Sequence, residues 1–436
     1  DYVNMYLDDS MDIYNKMVEV GADINEGGYG HAYKWRKLLQ DQGVKLIERT
    51  MVTELIENNG SVIGAAGFSL DDEKAVFVSA KAVILASGSG ALKTPGFPCN
   101  SITHDGDCMA YRIGAEVSGK EFIDFHWTHW KDPAAMYDNW KGVLGGDMHA
   151  GSDLMGGAGA LDMVKSVHAG TVPLLMGARP EGARPEGARP EGARPEGGGP
   201  PGGVPAGIRD VNLPIAGGST AGMSPHKCEG IFPQNGKCES NIKGLYAAGD
   251  ALCSGGAQYH GVGCSSSGSA VQGARAGQYA AEYAAKAKAS KISSAQKTEI
   301  STRMFGPRTS EQGFNPEWVT QVLQGMMVPY YVLYIKSGDR LKAALSNVQY
   351  LRSKFEDYLI ATNIHELRQA HELKNMILNS EMKLRAALER TESRGSHYRE
   401  DYPEQDDKNW LKWIVISKDG DKMKFTKKDV PNKWIL

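Results

Sequence analysis

Two stretches of small residues stand where this chain could do chemistry. Val83-Ile84-Leu85-Ala86-Ser87-Gly88-Ser89-Gly90 is a short apolar run that ends in residues with almost no side chain. Such an ending lets a second backbone or a flat ligand come close to the main chain. Gly244-Leu245-Tyr246-Ala247-Ala248-Gly249-Asp250 is a second run of the same kind. A glycine- and serine-rich loop follows it to Ser269, and then an alanine-rich segment from Ala270 to Ala281. A strand ending in Gly-Asp sets one carboxylate against ligand hydroxyls. A loop of this composition that opens a helix offers free N–H groups and a positive dipole end, which suits an anion or a charge-accumulating ring. A tight loop between a buried strand and a closely packed helix would use the same residues for packing alone.

The elements that must position these stretches can be read from periodicity. Residues 33–42 predict a helix and Val44–Ile47 a short apolar strand. Val52–Ile56, Ser61–Ala66 behind an Asn59-Gly60 turn, and Val76–Val78 predict a meander of short strands. Ala82–Ala86 is a continuous apolar run, as expected of a fully buried parallel strand. Leu367, Ala370, Leu373, Met376, Ile377, Leu384 and Leu388 keep helical spacing, so residues 320–390 predict a bundle of about three helices. The tail, Trp413–Leu436, is polar and basic and reads as a short hairpin or a loose terminus.

Composition removes several classes of function. The chain has 436 residues, with 49 Lys+Arg against 52 Asp+Glu, so it shows no basic footprint for nucleic acid. No stretch approaches the roughly 20 apolar residues that cross a bilayer. Six scattered cysteines contain no C-x-x-C pair, so neither a zinc ribbon nor an iron–sulfur ligand set is expected, and a reduced, intracellular setting is. Glycine is abundant at 52 residues, where about 7% of a chain is usual. Part of the excess lies in residues 177–203, where the unit Gly-Ala-Arg-Pro-Glu repeats. Proline at every fifth position there forbids helix, and the tract reads as a solvated, extended insert.

The two small-residue runs resemble the L-A-S-G and G-L-Y-A-A-G-D segments of the fumarate reductase/succinate dehydrogenase flavoprotein family. Thr103-His104-Asp105-Gly106-Asp107-Cys108-Met109-Ala110 is similar to that family's T-G-D-G-x-x-M-A. Glu121-Phe122-Ile123-Asp124-Phe125-His126-Trp127-Thr128 is similar to its E-F-V-Q-F-H-P-T. Near the C-terminus, Glu392-Ser393-Arg394-Gly395-Ser396-His397-Tyr398-Arg399-Glu400-Asp401-Tyr402-Pro403 is similar to E-S-R-G-A-H-x-R-E-D-Y-P over a long ordered stretch.

The resemblance implies an α/β fold. Its parts are an incomplete FAD/NAD(P)-binding Rossmann-like domain, an inserted capping domain and a C-terminal helical bundle. The FAD domain would occupy residues 1–125 and return at 244–300. The capping domain would span 126–243, interrupted by the repeat, and the helical domain with its tail 315–436. The resemblance also implies FAD as cofactor, held by Ala86, Ser87, Gly88, Asp105, Gly249, Asp250, Cys264 and Ser265. His126 would face the substrate cavity.

Departures from the family matter as much. Its G-x-G-x-x-G unit, which seats the pyrophosphate, does not occur before Gly64, so the chain is expected to be N-terminally truncated. Fumarate-reducing relatives carry H-x-x-G-G before the second strand, where His226 stands as counterpart. They carry an arginine where His260 falls. An arginine clamps a carboxylate at any pH and a histidine does not. Arg209 is the candidate proton-donating arginine. The expected activity is hydride exchange with a small organic acid or enone, in a cytoplasmic enzyme or one peripheral to a membrane's inner face. The alternatives are a flavoprotein subunit that passes electrons to a separate iron–sulfur partner, as in adenylylsulfate reductase, and a non-catalytic remnant.

Overall fold

The computed structural model describes residues 2–21, 29–90, 92–93, 102–129, 174–176, 213–216, 223–254 and 266–431. Helices α1 (Tyr2–Glu19) and α2 (Tyr29–Asp41) come first, the second covering the expected helical segment. Strands β1 (Thr50–Asn58), β2 (Ser61–Ser69) and β3 (Ala75–Ser79) then form the antiparallel meander that the sequence predicts. Asn59 and Gly60 both take positive φ, 51° and 76°, the backbone of the two-residue hairpin turn that Asn-Gly favours. Thr53 of β1 and Ile63 of β2 are each left over in the pairing of the two strands, which forms two bulges.

Val44–Ile47 is not a strand. It makes no ladder among the described residues, and Val44 and Ile47 are 45% and 47% exposed. An apolar run becomes a strand only where a neighbour completes its hydrogen bonds. The first small-residue run fares better. Strand β4 (Val83–Leu85) pairs in parallel with a strand far along the chain, Leu245–Ala247. The expected full burial of β4 is corrected, however, because Ile84 is 39% exposed.

Between these two strands the chain forms α3 (Asp105–Arg112), β5 (Val117–Ser118), β6 (Ile123–His129), β7 (Leu174–Met176), β8 (Leu213–Ala216) and β9 (Met223–Cys228). Strands β7, β8, β6 and β9 lie in that order in one four-stranded sheet, and β10 is the Leu245–Ala247 strand already met. The glycines of residues 142–159 and the repeat lie outside the described residues.

The C-terminal part is helical, as its spacing predicts. Helices α4 (Ser266–Lys286), α5 (Ser294–Thr309), α6 (Pro316–Met327), α7 (Gly338–Phe355) and α8 (Ile364–Glu389) follow in order. Short β11 (Ile335–Lys336) and β12 (Tyr398–Arg399) pair in parallel. Helix α8 is buried around most of its circumference, which is why its apolar pattern is broad. Leu367 joins the core beneath the meander, Leu373 and Ile377 the core with α6 and α7, and Met382 and Ala386 the core around β4 and β10. One helix therefore ties three clusters together. The tail is a hairpin, β13 (Lys412–Asp419) and β14 (Lys422–Asp429), and it is not loose. Val415 and Ile416 pair with Ser118 and Val117 of β5 and are fully buried.

Candidate active site

The two small-residue runs meet. Leu245, Tyr246 and Ala247 pair with Val83, Ile84 and Leu85 in parallel, so both loops leave from carboxyl ends at one edge of the sheet. Open α/β sheets take ligands in the crevice beyond such ends. Ala86 and Ser87 are exposed, and Gly88 and Asp250 half-buried. Gly88 and Gly249 adopt φ of 70° and 65°, which side chains disfavour. Gly249 donates its N–H to Oε1 of buried Gln272 on α4 at 2.8 Å, which anchors the second loop to the helix.

Close backbone approach is built in beneath the first loop. A Cβ on Gly106 would stand 1.9 Å from Oγ of Ser87, and one on Gly90 would stand 2.5 Å from the ring of His104. Helix α3 thus presses Gly106 against the strand end, with Asp105 one residue before it. The Asp105 carboxylate accepts from Oγ1 of Thr103 at 3.0 Å and from Nδ2 of Asn375 at 2.6 Å. Bare backbone at two strand ends, a flanking carboxylate and a small-residue helix fit a flat, phosphate-bearing cofactor.

Strands β6 and β9 bring two of the three expected histidines together. His126 pairs with Ser224, and His226 sits in the bulge between the Asp124–Lys227 and Phe125–Pro225 pairs. His260, Cys264, Ser265 and Arg209 lie outside the described residues.

Under the first loop lies a buried charge cluster that sequence reading missed. Lys120 donates to the carboxylate of Asp107 and to the carbonyl of Glu229, the latter at 2.6 Å. Its Nζ stands 3.6 Å from Sγ of Cys228. Asn379 donates to Asp107 at 3.0 Å, and Lys383 Nζ lies 3.0 Å from Nε2 of His104. Ser89 fastens this cluster to the strand end by donating Oγ to the Cys228 carbonyl at 2.8 Å.

Burial raises the thiol of Cys228, but Lys120, Lys383 and His104 bring it down to about 6. Burial works against ionisation of Asp107 too, and Lys120 and His104 hold that carboxyl well below the ordinary range. Burial likewise lowers Lys383. Ligand-type atoms of His104, Asp107 and Cys228 lie within 4.8 Å of one another. The ammonium of Lys120 stands in contact with two of them and supplies the positive charge that a metal ion would bring. The available signal was His104 itself, at φ 64° where the resembling motif has glycine.

Comparison with known proteins agrees with an FAD-binding fold. A family model described as FAD binding domain matches residues 29–151, and one described as fumarate reductase flavoprotein C-term matches residues 321–435. A fumarate reductase (CoM/CoB) subunit from Methanothermobacter marburgensis is 27% identical over 403 residues, covering 86% of this chain and 71% of that protein. An uncharacterized FAD-dependent oxidoreductase of Methanocaldococcus jannaschii is 28% identical over 411 residues, covering 88% of this chain and 72% of that protein. Among solved structures, E. coli quinol fumarate reductase superposes with a TM-score of 0.75 at 18% identity, covering 99% of this chain and 84% of that one. Adenylylsulfate reductase of Archaeoglobus fulgidus gives 0.67 at 19% identity, over 92% and 75% of the two chains.

Proposed function

This chain belongs to the fumarate reductase/succinate dehydrogenase flavoprotein family and is an FAD-dependent oxidoreductase, and from that premise we propose that its substrate is a small organic acid or enone held beside β6 and β9. The observation that carries the reading is the parallel pairing of β4 with β10, which gathers two glycine-bearing loops at one sheet edge. Ala86, Ser87, Gly88, Asp105, Gly249 and Asp250 are the residues to hold FAD, with Cys264 and Ser265 at the approach to α4. Bound FAD supplies two-electron, hydride-level chemistry. The chain's own residues bind, orient and charge the site. Asp105 and Asp250 accept hydrogen bonds from hydroxyls, and the start of α4 offers its dipole to negative charge. His126 and His226, on neighbouring strands, hold a carboxylate or polarise a carbonyl, with His260 and Arg209 completing the pocket.

Relatives of this chain, that of Methanothermobacter marburgensis among them, are named as subunits, which supports a further part of the proposal. Electrons pass between this chain and a separate iron–sulfur subunit, because its own six cysteines contain no cluster motif. No described helix is long and apolar enough to cross a membrane, and a cytoplasmic or membrane-peripheral setting is proposed with the partner. The test is optical. The full-length protein, purified natively, should show flavin absorbance that dithionite bleaches, and reoxidation by fumarate, by an enone or by an oxidised iron–sulfur protein then selects the acceptor. A folded full-length protein without flavin absorbance, even after incubation with FAD, would overturn the reading.

A further inference from the structure

Helix α8 carries a row of buried polar side chains. Glu372, Asn375, Asn379 and Lys383 follow one another at steps of three or four residues, which sets them along one face of the helix. Burying such groups is costly unless each finds a partner. All four find theirs in the same stretch of chain, the loop after β4 and the start of α3. Glu372 pairs with Lys93. Asn375 donates through Nδ2 to Asp105 at 2.6 Å, and Asn379 donates to Asp107 at 3.0 Å. Lys383 Nζ stands 3.0 Å from Nε2 of His104.

The contact with Asp105 differs from the two deeper ones. His104 and Asp107 are buried, whereas Asp105 is half-buried, one residue before the Gly106 that packs on Ser87. Its Oδ1 takes two donors, Nδ2 of Asn375 and, at 3.0 Å, Oγ1 of Thr103. Its Oδ2 takes none among the described residues. Two donors on one oxygen restrict the rotation of a carboxylate and thereby aim the other oxygen.

We propose that Asn375 is a positioning residue of the cofactor site, which holds the Asp105 carboxylate so that Oδ2 meets a hydroxyl of FAD. This role rests on the reading that Asp105 holds FAD. It goes further by setting a determinant of cofactor affinity on a C-terminal helix, 270 positions along the chain. Asn375 acts through Asp105 and not on the cofactor itself. A group already held in its bound orientation loses little freedom when the ligand arrives, and affinity rises accordingly. Without Asn375 the carboxylate is held by Thr103 alone, and binding must also still its rotation.

A double-mutant cycle tests the role, with the full-length apoprotein titrated with FAD and binding followed by flavin fluorescence. Asn375→Leu should weaken FAD binding by about ten-fold and Asp105→Ala by about a hundred-fold. In the Asp105→Ala background, Asn375→Leu should weaken it no further. A general loosening of the fold would act equally in both backgrounds, so additive losses would overturn the role of Asn375. Wild-type affinity in Asn375→Leu, beside a loss in Asp105→Ala, would overturn it too. Unchanged affinity in Asp105→Ala would instead overturn the cofactor role of Asp105, and the role of Asn375 with it.

Asn375→Asp, of the same shape, decides the matter if the leucine variant does not fold. It sets a carboxyl against a carboxylate, so binding should be weakened more at about pH 8 than at about pH 5, where a shared proton restores a donor. Ionisable groups near it, Cys108 and Arg112 on α3 and His371 and Lys374 on α8, are unchanged from the wild type. The ratio of variant to wild-type dissociation constants therefore isolates the new carboxyl. A ratio that stays the same at both pH values would overturn the role of Asn375.

Discussion

Two buried charge clusters in this molecule solve the same problem with different side chains. Every donor of Arg390 itself is met. Its guanidinium bonds Glu121 at 2.9 Å, Glu392 at 2.8 Å and the carbonyls of Trp410 and Lys412 at 3.0 and 2.9 Å. Arg394 grips Glu392 through two nitrogens, and Arg399 grips Asp401 the same way at 2.7 Å on each arm. Planar forks of this kind stay charged at any pH a protein survives. The cluster beneath Ser87–Gly90 uses point charges instead, with Lys120 and Lys383 set among Asp107, His104 and Cys228. The first is a lock that fastens the C-terminal motif to Glu121, two residues before β6. The second can change its charge.

The largest effect should come from opening the lock. Arg390→Met strands Glu121 and part of Glu392 in the interior and should cost about 3–5 kcal/mol of unfolding free energy in urea melts. Arg390→Lys should recover little, because one ammonium cannot replace the fork. A full rescue by lysine would show that charge alone matters there.

Lys120→Met comes next, at about 3 kcal/mol, since Asp107 keeps Asn379 as a partner. It should also move the Cys228 thiol from about 6 up toward the ordinary thiol range, read from the pH dependence of thiolate ultraviolet absorbance. An unmoved titration would remove Lys120 as the cause.

A smaller effect separates the clusters by pH. Cys228 falls from 9.0 to about 6 on folding, so its contribution to stability is complete above about pH 9. The contribution shrinks as pH falls and is gone below about pH 6. Cys228→Ala should flatten the stability profile across that window, whereas Arg394→Met should lower the curve without tilting it.

The smallest expected change tests the exception within the arginine cluster. Lys336, fully buried on β11 beside Arg399, is lowered to about 7 by burial, with Glu121 opposing and Arg399 assisting. Lys336→Met should raise stability near pH 7 by about 1 kcal/mol and remove a slope between about pH 7 and 10.5. A loss of stability would show that its charge helps hold Glu121.

Periodicity and small-residue runs were enough to show the meander, the helices of residues 320–390 and both short strands that end in small residues, because those signals are local. Asn-Gly dictates its turn, helical spacing dictates a buried face, and a strand that ends in glycine announces close approach. Val44–Ile47 failed the same reading because a strand needs a partner, and sequence does not say whether one is present. Tertiary structure alone decided that Lys120, Lys383 and Cys228 share one interior with His104 and Asp107. It also decided that Asn375 of α8 meets Asp105 of α3. Such clusters join residues hundreds of positions apart, and their charges acquire their values from burial and from one another. The amino-acid sequence determines which chemical groups exist; only folding determines which of them are neighbours and which are kept from water.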